Sequence, residues 1–146
     1  MQMKLNVSKT LLAASMALGL LSAQAQQGKL SGDAVKIGVL TDFSGVYSDY
    51  GGQGALVAAK MAVQDFGGKM FGKPIEVVSA DHQNKPDIGT NVARTWYDNE
   101  KVDMIADVPT SSVGLAVAKI SADKGKLHVN SGSATADLTG KACNAN

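Results

Sequence analysis

Two short stretches hold most of the side chains that could do chemistry. Thr110, Ser111 and Ser112 stand immediately before an apolar helical pattern. At a helix start, hydroxyls lie beside backbone N–H groups that have no partner inside the helix, at the positive end of its dipole. A carboxylate matches that arrangement. The plainer alternative is that Ser111 or Ser112 only caps the helix. Both can hold, since one hydroxyl can cap while another binds. The second stretch is Ser131-Gly132-Ser133-Ala134-Thr135, where hydroxyls adjoin a glycine backbone that a ligand can approach closely. An ordinary polar turn would have the same composition. Ser44, Gly45, Val46 and Tyr47 could wall such a pocket, with Tyr47 covering an apolar ligand group or simply packing on the surface. Asp42 caps a turn or supports that loop.

The same survey finds little that could catalyse. There is no Cys/His cluster with metal-ligand spacing, no Gly-x-Ser-x-Gly elbow and no phosphate loop ending in Gly-Lys-Ser/Thr. Gly52-Gln53-Gly54-Ala55-Leu56-Val57 is part of a dinucleotide fingerprint, with Val57 where the third glycine belongs. His82 reads as a solvated loop histidine, His128 as a packed strand residue and Trp96 as core. No catalytic residue, metal or cofactor is expected.

Positioning these groups requires a framework, and the hydrophobic pattern supplies one. Short β-branched runs predict strands at Val35–Leu40, Ile75–Ala80, Asp103–Ala106 and Lys126–Val129. Between them, helical spacing predicts helices over 53–66, ended by Gly67-Gly68, over 87–99, and from Val113 through Ile120. The order βαβαβαβ implies an α/β fold, a doubly wound parallel sheet with helices on both faces. Right-handed crossovers then bring every strand-to-helix loop to one edge, where ligands of such sheets bind. Loops 41–52, 81–86, 107–112 and 130–139 are expected to converge there.

Charge is nearly balanced, with 14 basic and 13 acidic residues, so no basic stripe marks a nucleic-acid surface. Lys4 and Lys9 precede an apolar run from Leu11 to Leu21 and then Ala23-Gln24-Ala25. Positive charge, apolar core and small-x-small predict a cleavable secretory signal peptide over residues 1–25. The run is too short for a spanning helix. Residues 26–146 then form one domain, exported to the periplasm. Cys143 is the only cysteine. An unpaired Cys so near the end of an exported chain predicts a truncated frame, or a fragment whose Cys partner lay further on.

With these residues in view, the chain resembles the extracytoplasmic solute receptors of branched-chain amino-acid-type ABC transporters, the leucine/isoleucine/valine-binding protein family. The matching pieces are Val35 to Gly45, Gly72 to Val78, Asp81 with Asn84-Lys85-Pro86, and Ser131 to Thr139. The resemblance implies the N-terminal lobe of a type I periplasmic binding protein, with the second lobe missing. It implies a non-enzymatic receptor that carries an amino acid, or an aromatic or aliphatic carboxylate, to an ABC permease in the inner membrane. It also implies that the loops after the third and fourth strands hold carboxylate and ammonium. The ligand-binding set is then Thr110, Ser111, Ser112, Ser133, Ala134 and Thr135, with Tyr47 as a wall. The motif Asp81 to Pro86 resembles a subgroup whose solutes include aromatic carboxylates. Two other readings share the architecture: the sensing domain of a membrane receptor, and a nucleotide-using enzyme.

Overall fold

Val35-Lys36-Ile37-Gly38-Val39-Leu40-Thr41 forms β1 (Val35–Thr41), buried from Gly38 onward. The computed structural model describes residues 31–145. The expected signal peptide therefore lies outside the described residues. No helix among the described residues is long and apolar enough to cross a membrane.

α1 (Gly52–Asp65) follows, and Gly67 and Gly68, both at positive φ, reverse the chain behind it. Two strands come next, β2 (Lys69–Met70) and β3 (Lys73–Asp81), paired antiparallel. Their turn residues Phe71 (φ 51°) and Gly72 (φ 77°) are both left-handed, the geometry that matches hairpin twist. The sequence pattern missed β2, because two exposed residues carry no periodicity. α2 (Pro86–Asp98) starts with Pro at its first position and Asp87 in its first turn, both favoured there. β4 (Met104–Asp107) leads to α3 (Ser111–Lys124), which ends on Gly125 in the left-handed conformation. β5 (Leu127–Asn130) and a 3-10 turn (Ala136–Leu138) complete the described chain.

The sheet order is β2-β3-β1-β4-β5. β3, β1, β4 and β5 run parallel, as expected, and only the hairpin strand β2 is antiparallel. One face is sealed by α2 and α3. Leu40 and Ile105 of the sheet meet Trp96, Val113, Val117 and Ile120 there. Gly38 is part of the reason Trp96 fits: a Cβ at that position would lie 2.5 Å from Trp96 Cε3. Tyr97 ties the two helices to the sheet edge, its hydroxyl 2.8 Å from Ser121 Oγ, and burial pushes its pKa up to about 12. α1 lies on the other face, packed mainly on β1 and β3.

His82 is buried and His128 half-buried. His128 is packed, as its place in a strand implied, and burial lowers its pKa to about 4. His82 is fully buried rather than solvated. Its backbone N–H bonds to Thr41 O and its Nδ1 accepts from Asn84 N–H, so the loop folds inward over it. Burial also lowers its pKa, against the opposing pull of Asp42, Asp81 and Asp107.

Two outcomes follow. Gly38→Val should destabilise the protein by roughly 2 kcal/mol or more through overpacking against Trp96, read as a fall in urea midpoint at unchanged slope. Because the folded state keeps both imidazoles neutral, the unfolded chain takes up protons first as pH falls below the ordinary value of 6.5. Stability is therefore complete above pH 6.5 and lost progressively toward pH 4. The His128 share is at most about 3 kcal/mol. His128→Gln should flatten that part of a melting-temperature profile; an unchanged acid limb would contradict the assignment.

Candidate functional site

β3 and β4 flank β1 on opposite sides, so the chain reverses its winding direction at β1. In sheets of this kind a crevice opens at that reversal, between the loops leaving the two neighbouring strands. Here those loops follow β1 and β4, with the loop after β5 alongside.

The first loop is held from below by acids. Asp42 is buried and accepts from Gly45 N–H at 2.7 Å and Tyr47 N–H at 3.0 Å, so it supports the loop. Thr41 Oγ1 accepts from Gly52 N–H at 2.9 Å, fixing the start of α1. From β3, Asp81 accepts from Ser44 Oγ at 2.6 Å and from the Phe43 and Gln83 N–H groups. Burial pushes the Asp81 carboxyl up, but these bonds and His82 outweigh it and hold its pKa below the ordinary value. Asp81, at the start of loop 81–86, thus braces the first loop.

The loop after β4 makes a sharp corner. Asp107 (φ 79°) and Val108 (φ 61°) are both left-handed, and Val108 is fully buried. For a β-branched residue that conformation is strained by about 1–3 kcal/mol. It is fixed from both sides. Val108 N–H donates to Leu40 O at 3.0 Å. Val108 O accepts from Ser133 Oγ at 2.7 Å and Asn130 Nδ2 at 3.2 Å. Ser131 donates to Asp107 twice, through N–H to the carbonyl and through Oγ to Oδ1.

These contacts gather three loops at Pro109. A Cβ at Gly132 would lie 2.8 Å from Pro109 Cα and 3.3 Å from Tyr50 Cε1. One at Gly51 would lie 2.7 Å from Thr41 Oγ1 and 3.3 Å from Pro109 Cγ. A Cβ at Gly114, on the first turn of α3, would collide with Ser133 Oγ and sit 2.9 Å from Asn130 Nδ2. The start of α3 and the loop after β5 therefore share one edge.

The sequence-predicted residues take distinct places. Thr110, not Ser111 or Ser112, occupies the N-cap position of α3, without a side-chain cap bond. Its Oγ1 is buried with no hydrogen-bond partner. Two more buried polar atoms share that condition near the strand ends, His82 Nε2 and Asp107 Oδ2. Ser111 is half-buried and Ser112 exposed, and the amides of this first turn have no carbonyl below them in the helix. Ser133 is spent on shape: its N–H donates to Asn130 Oδ1 at 2.8 Å, and its hydroxyl serves Asn130 and Val108. Ala134 is exposed, and Thr135 Oγ1 accepts from Asp137 N–H. Tyr47 is on the first loop, but the aromatic ring at the three-loop junction is Tyr50, which is 68% exposed. Sequence reasoning passed over Tyr50 and gave Asn130 no role of its own. The only signal was Tyr50's place in the same loop, where spacing does not fix register. Among the described residues, no group of His, Cys, Asp or Glu is placed to hold a metal ion.

Hydroxyls, first-turn amides and an exposed aromatic ring thus stand together at the switch point of a parallel α/β sheet. The chain belongs to the periplasmic binding protein family: the model described as "Periplasmic binding protein" matches residues 34–146. This is a family of binding proteins, not enzymes. A periplasmic binding protein from Burkholderia mallei is 49% identical, with a TM-score of 0.75, over 77% of this chain and 30% of that one. A branched chain amino acid ABC transporter periplasmic ligand-binding protein from Burkholderia xenovorans LB400 is 43% identical, with a TM-score of 0.73, over 75% of this chain and 29% of that one. A solute-binding protein of an ABC transporter from R. palustris, solved with 4-hydroxybenzoate, is 28% identical, with a TM-score of 0.68, over 75% of this chain and 30% of that one. No curated protein matches the chain. The chain spans about 30% of the length of these solved relatives and has the fold of one lobe of a type I periplasmic binding protein.

Asn130 is the most exacting test of the site's architecture. Asn130→Ala removes a donor to Val108 O and leaves Ser133 N–H without its acceptor, costing about 1–3 kcal/mol. Asn130→Asp keeps the acceptor but sets a carboxylate against a carbonyl oxygen, so it should rescue nothing. Denaturant melts of both variants check this; a stable Asn130→Asp protein would contradict the clamp.

Proposed function

We propose that the chain is the N-terminal ligand-binding lobe, from residue 26 on, of an exported ABC-transporter receptor that captures a small carboxylate and delivers it to an inner-membrane permease. Residues 1–25 act as its signal peptide, which places the mature lobe in the periplasm. The observation that supports this reading is the start of α3 directly behind β4, against the loop after β5. Thr110, Ser111, Ser112 and the first-turn amides form an anion-binding set. The solute carboxylate sits there, the backbone at Ala134 and Thr135 faces its other polar group, and the first-loop aromatics, Tyr47 and Tyr50, flank its side chain. Amino acids and benzoates share the carboxylate. A leucine binding protein from Thermotoga maritima and the R. palustris protein solved with 4-hydroxybenzoate are 25% and 28% identical to this chain. Tyr50 beside Gly132 favours a planar or branched apolar group over a charged one.

One lobe supplies only part of the binding energy. Two or three charge-assisted hydrogen bonds contribute roughly 1.5–3 kcal/mol each. Micromolar affinity needs about 8 kcal/mol net, after losses of about 4–15 kcal/mol in freedom. Calorimetry with leucine and 4-hydroxybenzoate should accordingly show no saturation of the chain alone below millimolar concentration. A chimera carrying the rest of the Burkholderia mallei relative should bind one of them at micromolar concentration. Ser111→Ala and Ser112→Ala in that chimera should each weaken binding about tenfold or less, together more than tenfold. Micromolar binding by the single lobe, or affinity indifferent to both serines, would sink the reading.

A further inference from the structure

Residues 82–85 form a tight turn that contains no glycine. Lys85 N–H donates to His82 O at 2.8 Å, and the two residues between, Gln83 (φ 52°) and Asn84 (φ 57°), are both left-handed. Asn tolerates that conformation, but Gln adopts it only where its surroundings enforce it. Here side chains hold both amides. Gln83 N–H donates to Asp81 Oδ1 at 2.7 Å, and Asn84 N–H donates to His82 Nδ1 at 3.0 Å. The same Asp81 accepts from Ser44 Oγ and Phe43 N–H of the first loop. His82 therefore adjoins the carboxylate that fixes the loop bearing Tyr47 and Tyr50. Its imidazole is fully buried, and Nε2 has no hydrogen-bond partner. The charges that act on it are Asp42 after β1, Asp81 of β3 and Asp107 of β4. The helical layer reaches it at Gly89 of α2, beside Val113 of α3, neither of them charged. Lys85 and Asp87 are exposed to solvent.

We propose that His82 is a positioning residue that makes the first loop, and with it the candidate site, sensitive to protons. Nδ1 acts as an acceptor, so the neutral imidazole carries its proton on Nε2. Imidazolium carries N–H on both nitrogens. Nδ1–H would then face Asn84 N–H, donor against donor. The turn must open to separate them, because left-handed Gln83 and Asn84 lose a bond that enforces them. Asp81 then loses its fixed bond to Gln83, and with it its seat beneath Ser44 and Phe43. The Asp81 carboxylate itself stays ionised, since its pKa lies below the ordinary value. Burial and the three acids act on His82 in opposite directions, and burial is the stronger, so the proton enters below the ordinary value of 6.5. His128, lowered to about 4 by burial alone, follows later. Solute affinity is accordingly highest with His82 neutral and falls on acidification. That last step rests on the receptor reading above; the release of the loop does not.

Amide spectra of the isotopically labelled chain, taken between about pH 7.5 and 5, test it. The Asn84, Ser44 and Phe43 signals should move together, at the midpoint where the His82 imidazole signals change. His128→Gln should leave that midpoint in place. In His82→Asn the side-chain oxygen can accept from Asn84 N–H, as in an Asx turn, but does not titrate, so the three amides should stay still. In the chimera with the remainder of the Burkholderia mallei relative, affinity for leucine or 4-hydroxybenzoate should fall about fivefold or more over the same interval, and His82→Asn should remove that fall. A His82 that stays neutral throughout, or that titrates while Ser44 and Phe43 stay still, would overturn the proposal. So would loop shifts that persist in His82→Asn; if that variant does not fold, the wild-type titration decides alone. A chimera that binds with constant affinity across the interval would contradict the coupling to solute. One that binds neither solute would contradict the receptor reading instead, and the loop titration would still decide the role of His82.

Discussion

The carbonyl oxygen of Val108 is the point on which the candidate site hangs. It sits on a left-handed corner that a buried β-branched residue would not adopt unaided. Ser133 and Asn130 close on it from the loop after β5, while Leu40 of β1 holds the same residue through its N–H. Strands β1, β4 and β5 are thus joined at their carboxyl ends by hydrogen bonds to one residue. Each such bond contributes about 0.5–1.5 kcal/mol net, enough together to offset the strain. Beyond Pro109, the corner leads Thr110 to the N-cap and Ser111 and Ser112 into the first turn of α3.

That arrangement explains why glycines crowd the same edge. Gly51, Gly114 and Gly132 stand where a methyl group would strike Thr41, Ser133 or Pro109. Their absence of a side chain lets three loops lie against one another. Asp42 and Asp81 work at a further remove, satisfying the amides of the first loop so that its tyrosines project from a fixed base. The construction presents donors at a fixed geometry.

Much of the framework was legible in the sequence because it rests on long-range pattern. Val35 to Leu40 and the helical spacing of Ile88, Val92 and Trp96 gave strand and helix directly, and alternation gave the parallel sheet. What escaped lies in local backbone geometry. The β2 hairpin depends on left-handed Phe71 and Gly72, and only the glycine advertises it. Ser133 reads as a free hydroxyl by composition but is consumed internally, because Asn130 and Val108 fold back on it. His82 looks like a loop residue, and burial beneath Asn84 was invisible without the turn that places it. Tyr47 and Tyr50 differ by one helical turn's worth of residues, and only the fold distinguishes which ring meets Gly132.

The central claim is that the start of α3 and the loop after β5 form one anion-holding edge. Amide chemical shifts report it most directly, because they detect binding too weak for calorimetry. Adding leucine or 4-hydroxybenzoate at millimolar concentration to the isotopically labelled chain should move the amide signals of Ser111, Ser112 and Val113 together with those of Ala134 and Thr135. Shifts confined to other surfaces, or shifts at the helix start without the second loop, would contradict it.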